Sequence, residues 1–586
     1  MIRALSGLLL LDGASQTAAC TVFAVGKMAT QDGSVLISHS DDGSPTNDAR
    51  LLYVPAAEHG PDAKRPIYYT AELFPRYLGY HRGPAYEPNA DTKSYNLSSP
   101  IGYIDQVPHT FGYQSGTYGV LNQHGVSVAE STCSAVFGTC GKGVSVGCEP
   151  GRKVGSALMS IDTLSYLAME RCRSSREAVE LMGAMATKYG FYGPPDSFEG
   201  SGESLIVGDP DEAWAFQILS DPTGTSAIWA AKRLPDDQMT VVANMYTIRE
   251  VDASDKDNYI LSSNIFDIAK SKGWWKEGTP FDFTLMYSGG EYAHKYYSGR
   301  RMWRALQMAK PSLTLPASYE DIRYKAVYPW SVTPDAKVSH HDLMAWHRDW
   351  YAGTPFDMTK GIQAGPFGSP DRYQTASSKV KGSWERSIAL YRTNAVYVQQ
   401  LHHPGAGRPE GTASVAWYAA GPPHYAAFVP IPSGVNETIH ALQFANPKKF
   451  ENYSMNWLVR RVMDVCQIRF DVMHRDVYNA QQAMEMDGDA LVQKVRLANF
   501  SSPTELNKAF QEHADKVLLK WKELMPYLIS RFSDNTDIES MQSLNYPDAW
   551  LEGSGYKDGP PAAPTEDRCP PKCDPPADTA GGDIVV

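Results

Sequence analysis

The hydrophobic pattern near the start of the chain predicts a β-hairpin. Small, β-branched and aromatic residues occupy 20–27, polar turn residues follow at 31–34, and an extended apolar run resumes at 35–39. Two such runs around a short polar turn are typical of a hairpin. We therefore expect Cys20 at the open end of the first strand, with Asp42 beside it at the end of the second.

Strand and helix patterns alternate in blocks through the first 245 residues. A second hairpin is predicted around 116–132, and the Pro- and Gly-rich residues 55–115 before it are expected to form an irregular excursion at a substrate mouth. Apolar residues recur at helical spacing within 154–172, and a second helix is predicted from the capping residue Ser174 to Gly190. Four strands are then predicted at 204–207, 213–219, 226–231 and 240–244. This order suits an α+β fold with helices over antiparallel sheets.

The pattern in the second half of the chain is more mixed. Residues 250–380 are predicted to form a mostly helical insertion. Strand patterns return at 387–391, 395–401, 414–419 and 425–429. Long charged segments at 450–498 and 503–532 predict a pair of helices on the outside of the protein. Residues 559–586 are rich in Pro, Asp and Gly and are interpreted as a tail.

The first nineteen residues are typical of a secretory signal or propeptide. A positive residue, Arg3, precedes an apolar run at 4–11, and small residues end the segment at Ala19. Cleavage there would make Cys20 the first residue, with a thiol and a free α-amine on one residue. The location predicted is extracytoplasmic, secreted or lysosomal/vacuolar. An ordinary frayed terminus is the alternative, and a lipoprotein signal fits less well because Thr17 stands where a larger aliphatic residue is usual.

Composition limits the partners. The net charge is −12 and no long basic run occurs, which argues against nucleic acid. The sequence has no stretch of about 18 consecutive apolar residues, so no membrane span is predicted. The oligomeric state stays open. Four N-x-S/T sequons fit a secreted protein but do not discriminate, because a chain of this length contains a few by chance. They begin at Asn96, Asn436, Asn452 and Asn499.

The cysteine spacing favours local disulfides. Of eight cysteines, three lie within 133–148 and two within 569–573. In a secreted chain such crowding favours disulfides over free thiols. If Cys20 is a catalytic thiol, seven remain, so at least one stays free or pairs between chains. Zinc is the competing interpretation, but two well-formed C-x-x-C pairs are lacking.

Several motifs together resemble the C69 dipeptidases, which are N-terminal-nucleophile hydrolases related to secernins and, more distantly, to bile-salt hydrolases and penicillin V acylases. The first is CTxxxVGKxATxDGS at 20–34. The others are NxHGV at 122–126, LAMER at 167–171, GTPFD at 353–357, AGPFG at 364–368 and ERSI at 385–388. The resemblance thus covers roughly residues 20–440, and the set is specific although each motif alone is weak.

The resemblance implies a fold and a domain organisation. The fold is a four-layer αββα sandwich with helical insertions and a C-terminal helical extension. The corresponding divisions are a leader at 1–19, a catalytic domain at 20–440, a helical extension at 441–555 and a Pro-rich tail at 556–586.

The resemblance also implies the site residues. Cys20 matches the nucleophile, and Asp42 matches the acid that holds its amine and thiol. Asn244 matches a side-chain amide that binds the oxyanion, and Thr132 a second contributor through its backbone N–H. Arg386 matches an arginine near the nucleophile, with Arg372 as second choice. An arginine is frequent in the wider superfamily where this chain has His39.

The implied reaction is hydrolysis of dipeptides through a thioester on the cysteine, with no cofactor and no metal. A cysteine thiol is a weak nucleophile without a base, and the α-amine, whose pKa is usually about 7.7–8.0, supplies one. An N-acyl amide hydrolase is the enzymatic alternative. A secernin-like binding or trafficking protein without catalysis is the other.

Two rival sites are weaker. Residues 143–147 match G-x-S-x-G, but a serine-hydrolase elbow runs straight into a helix, and 148–151 intervene here. His340, His341 and His347 offer imidazoles on one predicted helix. Without an acidic ligand nearby, we interpret them as a solvated helix face.

Overall fold

The computed structural model describes residues 20–69, 72–144, 155–193, 202–290, 295–317, 328–373, 384–405, 407–498, 500 and 502–555. The leader, the tail, Ser145 of the G-x-S-x-G match and Asn499 lie outside these ranges. Among the described residues no helix is both long enough and apolar enough to cross a bilayer.

Strands are distributed along most of the chain. In the first half they are β1 Thr21–Val25, β2 Val35–Asp41, β3 Leu52–Val54, β4 Ala57–Glu58, β5 Lys64–Tyr68, β6 Pro100–Asp105, β7 His109–Thr110, β8 Tyr113–Ser115, β9 Gly119–Asn122, β10 Ser127–Cys133, β11 Gly202–Gly208, β12 Ala213–Ser220, β13 Ala227–Arg233, β14 Met239–Val242 and β15 Tyr259–Leu261. In the second half they are β16 Ser331–Val332, β17 Ala395–Leu401, β18 Val415–Ala420, β19 Val429–Pro432, β20 Thr536–Asp537 and β21 Gln542–Ser543.

The helices fall into an early pair, a set of short helices and a long C-terminal group. They are α1 Ile161–Arg171, α2 Ser175–Tyr189, α3 Ile265–Ser271, α4 Phe283–Tyr287, α5 Arg300–Ala309, α6 His340–His347, α7 Met455–Cys466, α8 Phe470–Leu497, α9 Pro503–Arg531 and α10 Asp548–Gly553. A π-helical turn, Lys295–Gly299, leads directly into α5.

Two large antiparallel sheets form the centre of this α+β fold. The first has the order β16-β14-β1-β2-β17-β18-β19, and the second has the order β15-β13-β12-β11-β10-β9-β8-β3. The predicted hairpin of β1 and β2 lies in the middle of the first sheet, with Thr21 opposite Ser40. The β9–β10 hairpin and the four strands predicted between 204 and 244 are also confirmed, within a few residues at their ends.

The central strands are buried on both faces. Every residue of β1, β2, β10, β11 and β12 is buried. The sheets contact each other through β2 with β10 and β11, while α2 packs on β12 and β13. Helices α6, α7, α8 and α9 pack against β17, β18 and β19 of the first sheet. Burial on both faces makes the polar residues at the end of β2 unusual, because each needs an internal partner.

Helix α2 shows the predicted local signals. The Ser174 side chain accepts a hydrogen bond from the Glu177 N–H, and Gly190 ends the helix at φ 75°. The Glu177 carboxylate accepts from the Arg173 N–H, at 2.8 Å. A reciprocal capping box would need it to accept from the Ser174 N–H instead. Helix α1 begins at Ile161, later than predicted.

Some predicted elements are wrong. Residues 387–391 form a loop, because their backbone bonds to another loop: the Ala389 N–H donates to the Asp349 carbonyl, at 2.9 Å. The strand predicted at 425–429 begins only at Val429, where β19 forms a sheet edge that tolerates its two prolines.

The insertion and the C-terminal segment also differ from prediction. In the described parts of 250–373, irregular segments separate short helices, and left-handed Gly273 and Gly278 follow α3. The segment 450–498 forms two helices, α7 and α8, that meet near Arg469. Their apolar residues join the core of the first sheet, and the Trp521 indole of α9 donates to the Tyr425 carbonyl, at 2.9 Å.

Candidate active site

Cys20 lies directly before β1 and is completely buried. Its Sγ donates a hydrogen bond to Oε2 of Glu130 on β10, at 3.1 Å. Its carbonyl oxygen accepts from Nη1 of Arg301 on α5, at 2.8 Å. The thiol and the backbone of Cys20 are therefore both held by charged groups from other parts of the chain.

Asp42 follows β2 and is linked through Ser40 to Thr21, the residue after Cys20. The Ser40 hydroxyl accepts from the Thr21 N–H, at 3.0 Å, and donates to Oδ2 of Asp42, at 3.1 Å. Arg386 forms a buried ion pair with the same carboxylate, and Thr393 donates to its other oxygen. Asp42 is thus fixed one hydroxyl away from the start of β1.

Asn244 lies just beyond β14, in the left-handed region at φ 54°. Asparagine tolerates this region better than most residues. Its Nδ2 donates to the Thr132 carbonyl, at 2.8 Å, and its Oδ1 accepts from Arg301, at 2.8 Å, and Arg386, at 3.2 Å. The hydrogen-bond network therefore orients the amide with its donor end toward β10.

Glu130 is the centre of a buried acidic cluster. Thr132 Oγ1 donates to its Oε1, at 2.7 Å, and His39 Nε2 lies 3.7 Å from its Oε2. Burial opposes ionisation, yet the neighbouring His39 and Glu203 side chains hold the pKa of Glu130 below its usual value. Burial and the Glu130 charge hold the pKa of Glu203 well above its usual value. These opposite shifts favour the negative charge on Glu130 over one on Glu203.

This cluster disfavours a thiolate on Cys20. Burial, and then the carboxylates of Glu130, Asp41 and Asp42, raise the pKa of the thiol well above its usual value. In a chain that still carries residue 19, the nitrogen of Cys20 is an amide and cannot offset these charges. A positive charge at that nitrogen would favour ionisation of the thiol.

The structure brings together all five residues that the resemblance implied: Cys20, Asp42, Thr132, Asn244 and Arg386. Arg372, the second choice for the arginine, instead donates to the carbonyls of Ser369, at 2.7 Å, and Met358. The roles of the five residues remain predictions.

Glu130 and Arg301 were not predicted from the sequence. The sequence contains a clue to Glu130, because a carboxylate within a strand of small and apolar residues requires a buried partner. It contains no clue to Arg301, which lies 281 positions from Cys20 on a helix with two other arginines. His39, in the place of the superfamily arginine, is buried with its ring 5.0 Å from that of Tyr397.

Other predicted features lie away from Cys20. The excursion lines a cavity of about 320 Å³ that includes Arg65, Arg82 and Tyr166, and Cys20 is not among its lining residues. The solvated face predicted for His347 is wrong: this ring is completely buried and meets the Ser38 hydroxyl, at 2.9 Å.

The cysteines follow the predicted mixture of bonded and free thiols. Cys140 is disulfide-bonded. Within the part of the chain that the structure describes, Cys172 and Cys466 keep free, buried thiols. Cys148, Cys569 and Cys573 lie outside that part.

Among the described residues, two groups of side chains are close enough to bind a metal ion. Ligand atoms of Cys20, His39 and Glu130 lie within 4.8 Å of one another, and so do those of His340, His341 and Asp489. In the first group the sulfur is the candidate nucleophile, and a bound metal would withdraw electron density from it and weaken its attack. The second group lies on α6 and α8.

Several known proteins are similar to this chain over most of its length. A "Probable dipeptidase" of Latilactobacillus sakei is 23% identical over 469 residues, which are 80% of this chain and 85% of that protein. A "Probable dipeptidase" of Salmonella dublin is 24% identical, over 72% of this chain and 83% of that protein. "Dipeptidase A" of Lactobacillus helveticus is 21% identical, over 75% and 80% respectively. The family profile described as peptidase family C69 matches residues 102–483. Since this match covers well over half of the chain, the protein belongs to peptidase family C69.

Proposed function

We propose that this protein is a cysteine-type dipeptidase that hydrolyses the peptide bond of dipeptides through an N-terminal cysteine nucleophile. The observation that carries the proposal is the convergence of Asp42, Asn244 and Arg386 around the start of β1, where Cys20 lies. Relatives named as dipeptidases, which align with most of this chain, support the substrate class.

We further propose that the fold is the four-layer αββα sandwich of N-terminal-nucleophile hydrolases. Two antiparallel sheets face each other through β2 and β10, with α2 on one outer side and α6 to α9 on the other. In this arrangement the ends of β1, β2, β10 and β14 meet at one place, where the five site residues lie.

The mechanism requires a free amine on Cys20. Removal of the leader would supply it, and the same leader, acting as a secretory signal, would direct the protein to a secreted or lysosomal/vacuolar location. A neutral α-amine accepts the thiol proton, because its pKa of about 7.7–8.0 leaves a useful neutral fraction near pH 7. Ser40 and Asp42, which already hold the adjacent Thr21 N–H, position this amine. The resulting ammonium offsets the carboxylates that raise the pKa of the thiol.

The chemical steps then balance without a cofactor. The Cys20 sulfur attacks the scissile carbonyl carbon, and the carbonyl oxygen becomes an oxyanion. Nδ2 of Asn244 breaks its hydrogen bond to the Thr132 carbonyl and donates to the oxyanion instead. The Thr132 N–H donates the second hydrogen bond to the oxyanion. As the tetrahedral intermediate collapses, the leaving nitrogen takes the proton from the ammonium. Water then attacks the thioester, giving up a proton to the amine, and restores the thiol.

Two other functions compete with this one. An N-acyl amide hydrolase would use the same atoms on a substrate without a free N-terminal amine. A secernin-like binding or trafficking protein would keep the fold without hydrolysis. The buried hydrogen bonds that hold Cys20 through Glu130 and Arg301 favour an enzyme, because binding alone does not require a held thiol.

The experiment that tests the proposal combines N-terminal sequencing with a substrate panel. We expect the mature chain to begin at Cys20 and to cleave dipeptides faster than N-acyl amino acids. Cys20→Ala should abolish hydrolysis, Cys20→Ser should leave weak activity, and the matched buried-thiol control Cys172→Ala should retain activity. A mature chain beginning at Met1, or an active Cys20→Ala variant, contradicts the mechanism. Faster cleavage of N-acyl amino acids supports the alternative enzyme, and no hydrolysis by a correctly processed chain supports the binding protein.

A further inference from the structure

The first turn of α6 meets α8 through two imidazoles and one carboxylate. His340 Nε2 lies 3.1 Å from Oδ1 of Asp489, and His341 Nε2 lies 2.6 Å from Oδ2 of the same residue. Asp489 follows these histidines by more than 140 positions, so no local sequence pattern joins them. The tertiary structure thus supplies the acidic group that the histidine pair lacked in the sequence.

The arrangement presents two nitrogens and two oxygens to one place. The two imidazole rings lie with centroids 4.1 Å apart, and both Nε2 atoms face the same carboxylate. With hydrogen on Nε2 the two neutral rings donate to Asp489. With hydrogen on Nδ1 they offer two lone pairs to a divalent ion on the side where the carboxylate lies.

The distances are near those of a metal centre. Zinc lies about 2.0–2.2 Å from nitrogen and oxygen ligands, so two ligand atoms of a tetrahedral ion are about 3.3–3.6 Å apart. The three ligand atoms here lie within 4.8 Å of one another, and each imidazole nitrogen moves slightly away from the carboxylate to admit an ion.

The surroundings also suit such a centre. The His340 ring stacks on Trp417 of β18, with centroids 4.9 Å apart, which limits its rotation. The His340 side chain is 15% exposed, whereas those of His341 and Asp489 are 43% and 33% exposed. One side of the cluster therefore packs on the protein core and the other is open to solvent. An ion can enter from that side, and water can complete its coordination.

We propose that His340, His341 and Asp489 bind a divalent transition-metal ion that joins α6 to α8. Two nitrogens and one carboxylate favour zinc, copper, nickel or cobalt over magnesium and calcium, which prefer all-oxygen ligands. The site has a structural role: α6 reaches Ser38 of β2 through His347, and α8 packs on β19. The ion therefore fastens the long C-terminal helices to the central sheet.

The test uses the full chain without a polyhistidine tag, stripped of metal with a chelator. The chain carries Cys20→Ala, which removes the sulfur of the other candidate metal group, Cys20, His39 and Glu130. Zinc chloride is titrated by calorimetry, and cobalt chloride by visible absorption. We expect one ion per chain, a cobalt spectrum of nitrogen and oxygen ligands, and a higher melting temperature with zinc. Asp489→Asn and His341→Ala should each weaken zinc binding at least 10-fold and abolish the thermal shift.

The matched control is Asp487→Asn. This residue lies on the same helix and pairs with Lys516, away from the histidines. It should bind zinc like the parent chain. Equal zinc affinity in the parent and in Asp489→Asn overturns the proposal, as does equal weakening by Asp487→Asn. Circular dichroism checks that each variant is folded. If His341→Ala is unfolded, Asp489→Asn and His340→Gln still decide the result.

Discussion

The thiol of Cys20 donates a hydrogen bond to the carboxylate of Glu130, and both side chains are completely buried. This contact has opposite effects on the two forms of the nucleophile. It stabilises the neutral thiol, and it places a negative charge 3.1 Å from the sulfur where a thiolate must form. Glu130 therefore makes ionisation of Cys20 depend on a positive charge nearby, which is the charge that the proposed mechanism assigns to the α-ammonium of a processed chain.

Replacing Glu130 by glutamine should make the thiol more acidic. The Glu130 charge is second only to burial among the causes that raise the thiol pKa, so its removal lowers that pKa. We expect the pH at which iodoacetamide modifies Cys20 at half its maximal rate to move downward. Peptide mass spectrometry locates the modified residue. Glu58→Gln, which changes an exposed acid, should leave the profile unchanged, and an unchanged profile in Glu130→Gln contradicts the assignment.

Replacing Asn244 separates catalysis from backbone strain. Asn244→Gly and Asn244→Ala both remove the amide that we assign to the oxyanion, so each should lower kcat about 10²–10³-fold. Only alanine must also adopt φ 54° with a Cβ, which costs about 1–2 kcal/mol. We therefore expect similar kcat values and a lower free energy of unfolding for Asn244→Ala. Near-normal kcat in Asn244→Gly argues against an oxyanion role.

The buried ion pair between Asp42 and Arg386 should show strong coupling. Arg386→Met leaves the Asp42 carboxylate buried without its cation, and removal of one partner of such a pair costs about 3–5 kcal/mol. The double variant Asp42→Asn, Arg386→Met should recover part of this loss. Urea unfolding of the four proteins measures the coupling, and additive losses would show that the pair does not act as a unit.

His347 should make stability fall in acid. Burial lowers its pKa to about 3, from an ordinary 6.5. The unfolded chain therefore binds a proton that the folded chain does not, between about pH 6.5 and pH 3. The contribution of neutral His347 to the free energy of unfolding is full above pH 6.5. It is lost as the pH falls, with a slope of up to about 1.4 kcal/mol per pH unit.

His347→Gln tests this dependence, since glutamine does not titrate and still reaches Ser38. Urea unfolding at pH 7 and pH 5 should show a smaller loss for the variant than for the parent. The comparison with the parent removes the effect of other buried histidines, such as His474 and His513, whose pKa values burial lowers to about 4. Parallel losses in both proteins would contradict the assignment.

Local signals were sufficient where an element depends on neighbouring residues. The first hairpin follows from alternating runs around a polar turn, and the ends of α2 follow from Ser174 and Gly190. Residues 387–391 have the composition of a strand but form a loop. Their backbone bonds to the loop at Asp349, through the Ala389 N–H, and amino-acid composition does not predict such a tertiary hydrogen bond.

The sequence by itself determined the family, the central hairpin and the four residues expected around Cys20, because these depend on short motifs and local periodicity. Only the tertiary structure decided that Glu130 and Arg301 contact Cys20, and that Asp489 meets His340 and His341. Each of these contacts joins residues at least 110 positions apart. Such a contact depends on how sheets and helices pack against each other, and it cannot be predicted from the spacing of residues along the chain.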